Sequence, residues 1–477
     1  MLKILAATTA LACAAFAPAW AQTIQQLAHQ PPDGAIIDYL LTDGSVLVQG
    51  NAYSDWYKLT PDNTGSYVNG KWTKVASLQA GYAPYAFAGA VLVNGKVLIE
   101  GGEYNNGQFA FTDVGSIYDP IANTWTPVTP PANWDFIGDS PSSVLPDGRY
   151  LLGRKFDKRI AVLDPNTLKW TELKHSGKSD FNAEEGWTLL PNGKILTYDV
   201  KNSPNSEIYD VTKQRWTSAG STVANLRSPH YGGSIGYGNG LVYHPPGEVG
   251  PGILRPDGTV FAAGSTPKGE THGHSAVWTP NSGVGTWAAG PDFPNGDDAG
   301  DSFAALLPNG KVLVEGTSGT LYEFDGSKLT ATKFNGQGGS LIVLPTGEVL
   351  VNGSFVYRES GNANSAWAPT VTNVAATLTR GNTYQIQGTQ FNGLSQAASF
   401  GDEMETATNY PLVRIQNNSS GHVIYARTHD HSTMGVATGS TVVSTNFDVP
   451  AGAETGASTL YVVANGIASA GVAVTVQ

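Results

Sequence analysis

One phrase recurs seven times along this chain, and it restricts the possible folds more than any other feature. Its clearest copy runs from Leu307 to Gly316. A hydrophobic run enters the turn Pro308-Asn309-Gly310, and the run Val312-Leu313-Val314 leaves it toward Gly316. Two strands joined by an Asn-Gly or Asp-Gly turn read as a β-hairpin. The other copies centre on Asp43-Gly44, Asn94-Gly95, Asp147-Gly148, Asn192-Gly193, Asp257-Gly258 and Thr346-Gly347. Self-similarity at a spacing of roughly 40 to 60 residues marks radial repetition of hairpin-led sheets, a β-propeller. Seven copies predict seven blades, over residues 33–78, 79–130, 131–175, 176–221, 222–293, 294–335 and 336–368. The last blade lacks a fourth strand of its own, and Thr23-Ile24-Gln25-Gln26-Leu27-Ala28 fits that position, closing the ring. The fifth carries an insertion from Arg227 to Pro251.

The N-terminus reads as a leader rather than as fold. Lys3, an apolar stretch from Ile4 to Pro18 and the small-x-small run Ala19-Trp20-Ala21 predict a signal peptide over residues 1–21, cleaved near Ala21. The stretch is too short to span a bilayer, so no membrane insertion is expected and the protein is placed outside the cell or in the periplasm. Cys13, in that leader, is the single cysteine, so the mature chain has no disulfide and no cysteine nucleophile. A net charge of -12 argues against nucleic acid as a partner and favours a neutral glycan over a polyanionic one. The composition fits a monomer.

Each hairpin is followed by a recurrent pair of segments. A third strand ends in turns such as Tyr118-Asp119-Pro120, Leu163-Asp164-Pro165 or Tyr209-Asp210. A fourth then opens with Trp, at Trp72, Trp125, Trp170, Trp216 and Trp287. These segments resemble kelch repeats, and the resemblance implies that the tryptophans pack between blades. After Asn362-Ala363-Asn364-Ser365 the pattern changes, and residues 369–477 read as a β-sandwich with strands such as Thr383–Gly388. A kelch propeller over residues 22–368 followed by an immunoglobulin-like domain resembles galactose oxidase and its relatives. That resemblance implies that the segment around Phe400-Gly401 and Asn409-Tyr410-Pro411 reaches back into the propeller. It also implies a copper ion held by two histidines, a tyrosine and a tyrosine cross-linked to cysteine. The mature chain has no cysteine for that cross-link. The place of the C-terminal copper histidine falls at Met404-Glu405-Thr406, and Tyr243-His244 lies about five residues too far from its turn to match the family pair. The fold is expected to carry over and the radical chemistry is not.

Aligning the hairpins on their turn glycine shows what the innermost strands begin with. Asp139, Glu184 and Asp301 each stand nine residues before that glycine, and Glu248 one step earlier in its own blade. Equal spacing from equal turns predicts that they converge at the centre, with Trp134, Asp135, Glu185, Trp187, Tyr82, Tyr85, His230 and Tyr231 around them. Acids mixed with aromatics on a concave face are what a sugar site requires. Asp139, Glu184 and Asp301 are the candidate catalytic residues and the others candidate substrate contacts. Two carboxyls in different environments could act as acid and base in glycosidic cleavage. The same oxygens could instead hold Ca²⁺, or cap their own loops. His272-Gly273-His274 and His429-Asp430-His431 place imidazoles two residues apart, which zinc or copper could use, although both segments also read as solvated loops. Three functions stay open: a secreted glycoside hydrolase, a glycan- or protein-binding propeller without catalysis, and a metal-dependent oxidoreductase of another type. Copper reconstitution is expected to give no tyrosyl-radical absorption and no peroxide from galactose; either signal would overturn the cysteine argument.

Overall fold

The recurrent turn sets the geometry of every repeat. In the first, Leu41 N–H donates to the Ser45 carbonyl at 2.7 Å and Gly44 N–H to that of Leu41 at 2.9 Å. The Asp43 carboxylate accepts from Ser45 N–H at 3.0 Å. Gly44, Gly95, Gly148, Gly193, Gly258, Gly310 and Gly347 all have φ between 75° and 88°. A left-handed residue after a tight turn matches the twist of the two strands, and only glycine adopts it without a side-chain penalty.

The computed structural model describes residues 22–229, 235–236, 242–243, 247–336 and 338–477, with main chain alone at 235–236 and 242–243. The leader, His230 and Tyr231 lie outside the described residues. The fold is all-β and propeller-like. Seven antiparallel sheets are led by Asp38–Leu40, Ala88–Val91, Ser142–Val144, Thr188–Leu189, Gly252–Leu254, Ala304–Leu306 and Leu341–Val343; each holds a four-stranded repeat, in chain order in all but the last, and the sixth gains a fifth strand. Every leading strand is buried along its length. The seventh sheet takes its outer strand from the N-terminus, where Thr23–Gln26 pairs antiparallel with Phe355–Arg358. Asp38–Leu40 then packs beside both Leu341–Val343 and Ala88–Val91, so the last sheet returns to the first.

The fourth-strand tryptophans join neighbouring sheets. The indole N–H groups of Trp125 and Trp170 donate to Ala76 and Thr129 carbonyls, each at 2.9 Å, and that of Trp287 to Ser206 Oγ at 2.8 Å. Trp216 departs from this. It is buried beneath the Lys178 ammonium, 4.5 Å from its ring centroid.

Residues 370–476 build a second unit, a nine-stranded sheet system around Ile386, Val413, Phe447, Leu460 and Val462. It docks on the turn face of the ring. Arg427 Nη2 donates to the Asn94 carbonyl at 2.7 Å, and Thr433 Oγ1 to that of Pro146 at 2.9 Å. From this unit a tongue, residues 395–405, enters the centre of the ring. Ala398–Ser399 adds a fifth strand beside Ala304–Ala305, and Gln396 bonds Leu189 N–H at 2.8 Å and Ser143 Oγ at 3.2 Å.

Two turn glycines separate conformational cost from packing cost. A Cβ on Gly258 would meet nothing closer than Pro280 at 3.5 Å, whereas on Gly310 it would lie 2.6 Å from the Trp367 ring. Gly258→Ala is expected to cost about 1–2 kcal/mol from its left-handed φ alone, and Gly310→Ala clearly more. Denaturant melts giving equal losses would refute this.

Candidate functional site

The leading strands begin on the face opposite the turns, and there the acids at equal register meet. Lys155, fully buried, is at their centre. Its Nζ lies 2.6 Å from Asp139 Oδ2, in hydrogen-bond contact with Glu184 Oε2, and 3.7 Å from Asp402 Oδ2. Oxygens of Glu184, Glu248 and Asp402 lie within 4.8 Å of one another, as do those of Asp139, Asp402 and Glu403. Asp301, exposed at the mouth, is hydrogen-bonded to the Glu248 carboxyl and holds a left-handed backbone at φ 46°. Four sheets and the tongue therefore contribute acids around one ammonium.

So much negative charge in so little water cannot all ionise. Desolvation raises Asp139, Glu184 and Glu248 well above the ordinary carboxyl range; Lys155 opposes this in each case. Burial of its carboxyl in the recess, helped by Glu184, lifts Asp301 to about 7. Desolvation likewise puts Asp402 at about 8 and Glu103 at about 7. Asp139 Oδ1 and Glu248 Oε2 are buried with no hydrogen-bond partner among the described residues. An all-oxygen donor set of this kind suits a hard cation, Ca²⁺ among them, and Glu184, Glu248, Asp402, Asp139 and Glu403 are the residues that would hold it.

An aromatic run borders the same site. Tyr85, Tyr104 and Phe109 stand on a small three-stranded sheet that extends from the second repeat. Ring centroids follow one another from Tyr53 to Tyr85 at 5.7 Å, to Tyr104 at 6.0 Å and to Phe109 at 5.7 Å. The run continues to Phe111 at 4.9 Å and Phe156 at 5.0 Å. It ends beneath Lys155, whose Nζ is 5.5 Å from the Phe156 centroid. At the other end Tyr85, 38% exposed, lies within electrostatic reach of Asp301.

Other residues expected at the centre have different work. Glu185 is buried in a separate ion network, 2.8 Å from Lys178, which also binds Glu207 at 3.0 Å. Glu184 and Glu185 lie in the turn ahead of Thr188–Leu189, where Glu185 N–H donates to the Ala183 carbonyl at 2.8 Å, and the two carboxyls go to different lysines. Trp187 donates to Glu185 at 3.3 Å and packs on Trp216 in the core. Trp134 is buried under the Arg159 guanidinium, and Asp135 pairs with Arg154 at the surface. Tyr82 is a core residue whose hydroxyl donates to the Gly101 carbonyl at 2.9 Å. His431 is buried against Tyr410 and held neutral, its pKa pushed down to about 3 by desolvation.

Sequence reasoning passed over Lys155, Glu103, Asp402 and Glu403. Lys155 and Glu103 share a register of their own, two residues past the glycine that ends the second strand, at Gly153 and Gly101. Asp402 and Glu403 sit just after the Phe400-Gly401 segment expected to reach into the ring.

No family model matches the chain, and no curated protein matches it. Among solved structures, a fungal alcohol oxidase of the AA5 family, in complex with copper, aligns over 95% of this chain and 98% of its own. The TM-score is 0.50 at 13% identity. The extracellular domain of a B. thetaiotaomicron one-component system aligns over 96% and 58%, with TM-score 0.46 and 11% identity. Virginiamycin B lyase from Staphylococcus aureus aligns over 71% and 98%, at 0.45 and 11%. At 13% identity the likeness to the first of these is one of fold.

The raised carboxyls predict how stability depends on pH. Asp301, Glu103 and Asp402 keep their protons in the folded chain up to about 7 or 8, burial raises Asp139, Glu184 and Glu248 in the same direction, and all of them release near 4 when unfolded. The folded state therefore carries more protons between those limits, and stability falls as pH rises through them. His431 acts in the opposite sense below about 6.5, as a single group against several. The melting temperature is expected to drop by several degrees from pH 5 to pH 8; a flat or rising profile would contradict the assigned burial.

Proposed function

We propose that the chain is a secreted, seven-bladed kelch-type propeller with a C-terminal immunoglobulin-like domain that hydrolyses a neutral glycan on its central face. One observation carries this reading. Asp301, an exposed residue whose carboxyl is desolvated, keeps its proton to about pH 7 beside a centre where Lys155 contacts Asp139 and Glu184, and a run of tilted and edge-on aromatic rings borders the same place. Asp301 would protonate the departing glycosidic oxygen, and Glu184, in the ionised form that contact with the Lys155 ammonium favours against the opposing effect of burial, would attack the sugar carbon or activate water. Asp139 keeps Lys155 in position, while Tyr85, Tyr104 and Phe109 offer apolar faces to successive sugar rings.

A second reading rests on Asp402, whose carboxylate is common to both oxygen triads. Shared between them, it fits a Ca²⁺-dependent glycan-binding propeller that performs no cleavage. A glycan array and reducing-sugar release, each with and without chelator, separate the two. Hydrolysis predicts released sugar that falls at least about 100-fold in Asp301→Asn and Glu184→Gln, with binding retained. Binding without release, lost on chelation and restored by Ca²⁺, would replace hydrolysis by the second reading. Full activity in both variants would remove these residues from the chemistry.

A further inference from the structure

The loop of the fifth sheet between Val260–Ala263 and Ser275–Thr279 carries His272 and His274, and the connection leaving Thr286–Ala289 carries Asp292. We propose that these three side chains bind one divalent metal ion of the zinc and copper(II) class, at a site separate from the central carboxylates. Both imidazoles turn a nitrogen toward one carboxylate. His274 Nδ1 is 2.6 Å from Asp292 Oδ1, and His272 Nε2 is 3.3 Å from Asp292 Oδ2. The three ligand groups offer atoms all within 4.8 Å of one another, so small side-chain shifts bring them to bonding distance of a common ion.

The far nitrogens are held as well. His274 Nε2 contacts Glu270 Oε2 at 2.6 Å, and His272 Nδ1 contacts Thr271 Oγ1 at 3.3 Å. A carboxylate on the outer nitrogen of a ligating imidazole fixes the ring and raises its basicity, the usual support of a metal-bound histidine. The loop is also fixed against its partner segment. Phe293 N–H donates to the Gly273 carbonyl at 2.9 Å, and Gly273 N–H to that of Asp297 at 2.9 Å. A Cβ at Gly273 would stand 2.4 Å from Asp298, so glycine there lets the two histidines approach Asp292 together. Two imidazole nitrogens and one carboxylate form a borderline donor set, unlike the all-oxygen cluster around Lys155. His272 and Asp292 are partly exposed, which leaves a coordination position open to solvent.

The test uses tag-free, full-length protein stripped with chelator. Calorimetric titration with Zn²⁺ is expected to show one site per chain, weakened at least tenfold in the His272→Ala/His274→Ala double variant. Glu270→Gln keeps all three ligands and the loop, and is expected to weaken binding by about 10- to 100-fold. With Cu²⁺, electron paramagnetic resonance should show coupling to two imidazole nitrogens, absent in the double variant. Unchanged Zn²⁺ affinity in the double variant would mean the ion sits on the central carboxylates and would overturn the proposal. So would Ca²⁺ competing on equal terms, or a copper spectrum without nitrogen coupling in the native chain. If the double variant fails to fold, Glu270→Gln and the native copper spectrum decide.

Discussion

The pairing of Thr23–Gln26 with Phe355–Arg358 is the contact on which the arrangement rests. Without it the seventh sheet keeps three strands and an open edge, and the last repeat meets the first only through the packing of Leu341–Val343 on Asp38–Leu40 and the bond from Gly353 N–H to Asp38. With it, seven short leading strands lie side by side around one axis. The convergence of Asp139, Glu184, Glu248 and Asp301 follows from that closure and requires no special loop. Residues at the same distance from seven similar turns have no other place to go.

Convergence then creates a charge problem that a single lysine addresses only in part. Lys155 offers one ammonium to at least three buried carboxylates. Attraction at contact distance offsets the desolvation of one or two of them, and the remainder must hold protons or meet a further cation. The unusual protonation of the centre and its cost to stability therefore share one origin. A fold built only for stability would have placed apolar residues here, as it does along the leading strands.

Much of this was legible in the chain. The turn glycines, the tryptophans and the terminal strand could be read because each is a local signal repeated in register. Register also located the acids. It could not tell Glu184 from Glu185, because both lie in the irregular turn ahead of Thr188–Leu189, where the alternation of a strand gives no guide to which side chain meets the axis. Trp134 and Tyr82 misled for a related reason: aromatic character alone does not distinguish a rim from a core. Asp402 lay beyond reach because it belongs to another unit, and the distance from Asp139 to Asp402 along the chain hides their contact. The histidines at 272 and 274 were visible as a pair, but Asp292 joins them only through the folding of the loop.

The tongue has a consequence for the life history of the molecule. Residues 395–405 fill the middle of the ring, yet they are made after every repeat that surrounds them. During synthesis the repeats emerge first, and domains fold largely in the order in which they appear. The central face is thus incomplete for most of biogenesis: its last acids arrive with the final quarter of the polypeptide. A chain cut short before that point could carry all its repeats and still lack Asp402 and Glu403 at its centre.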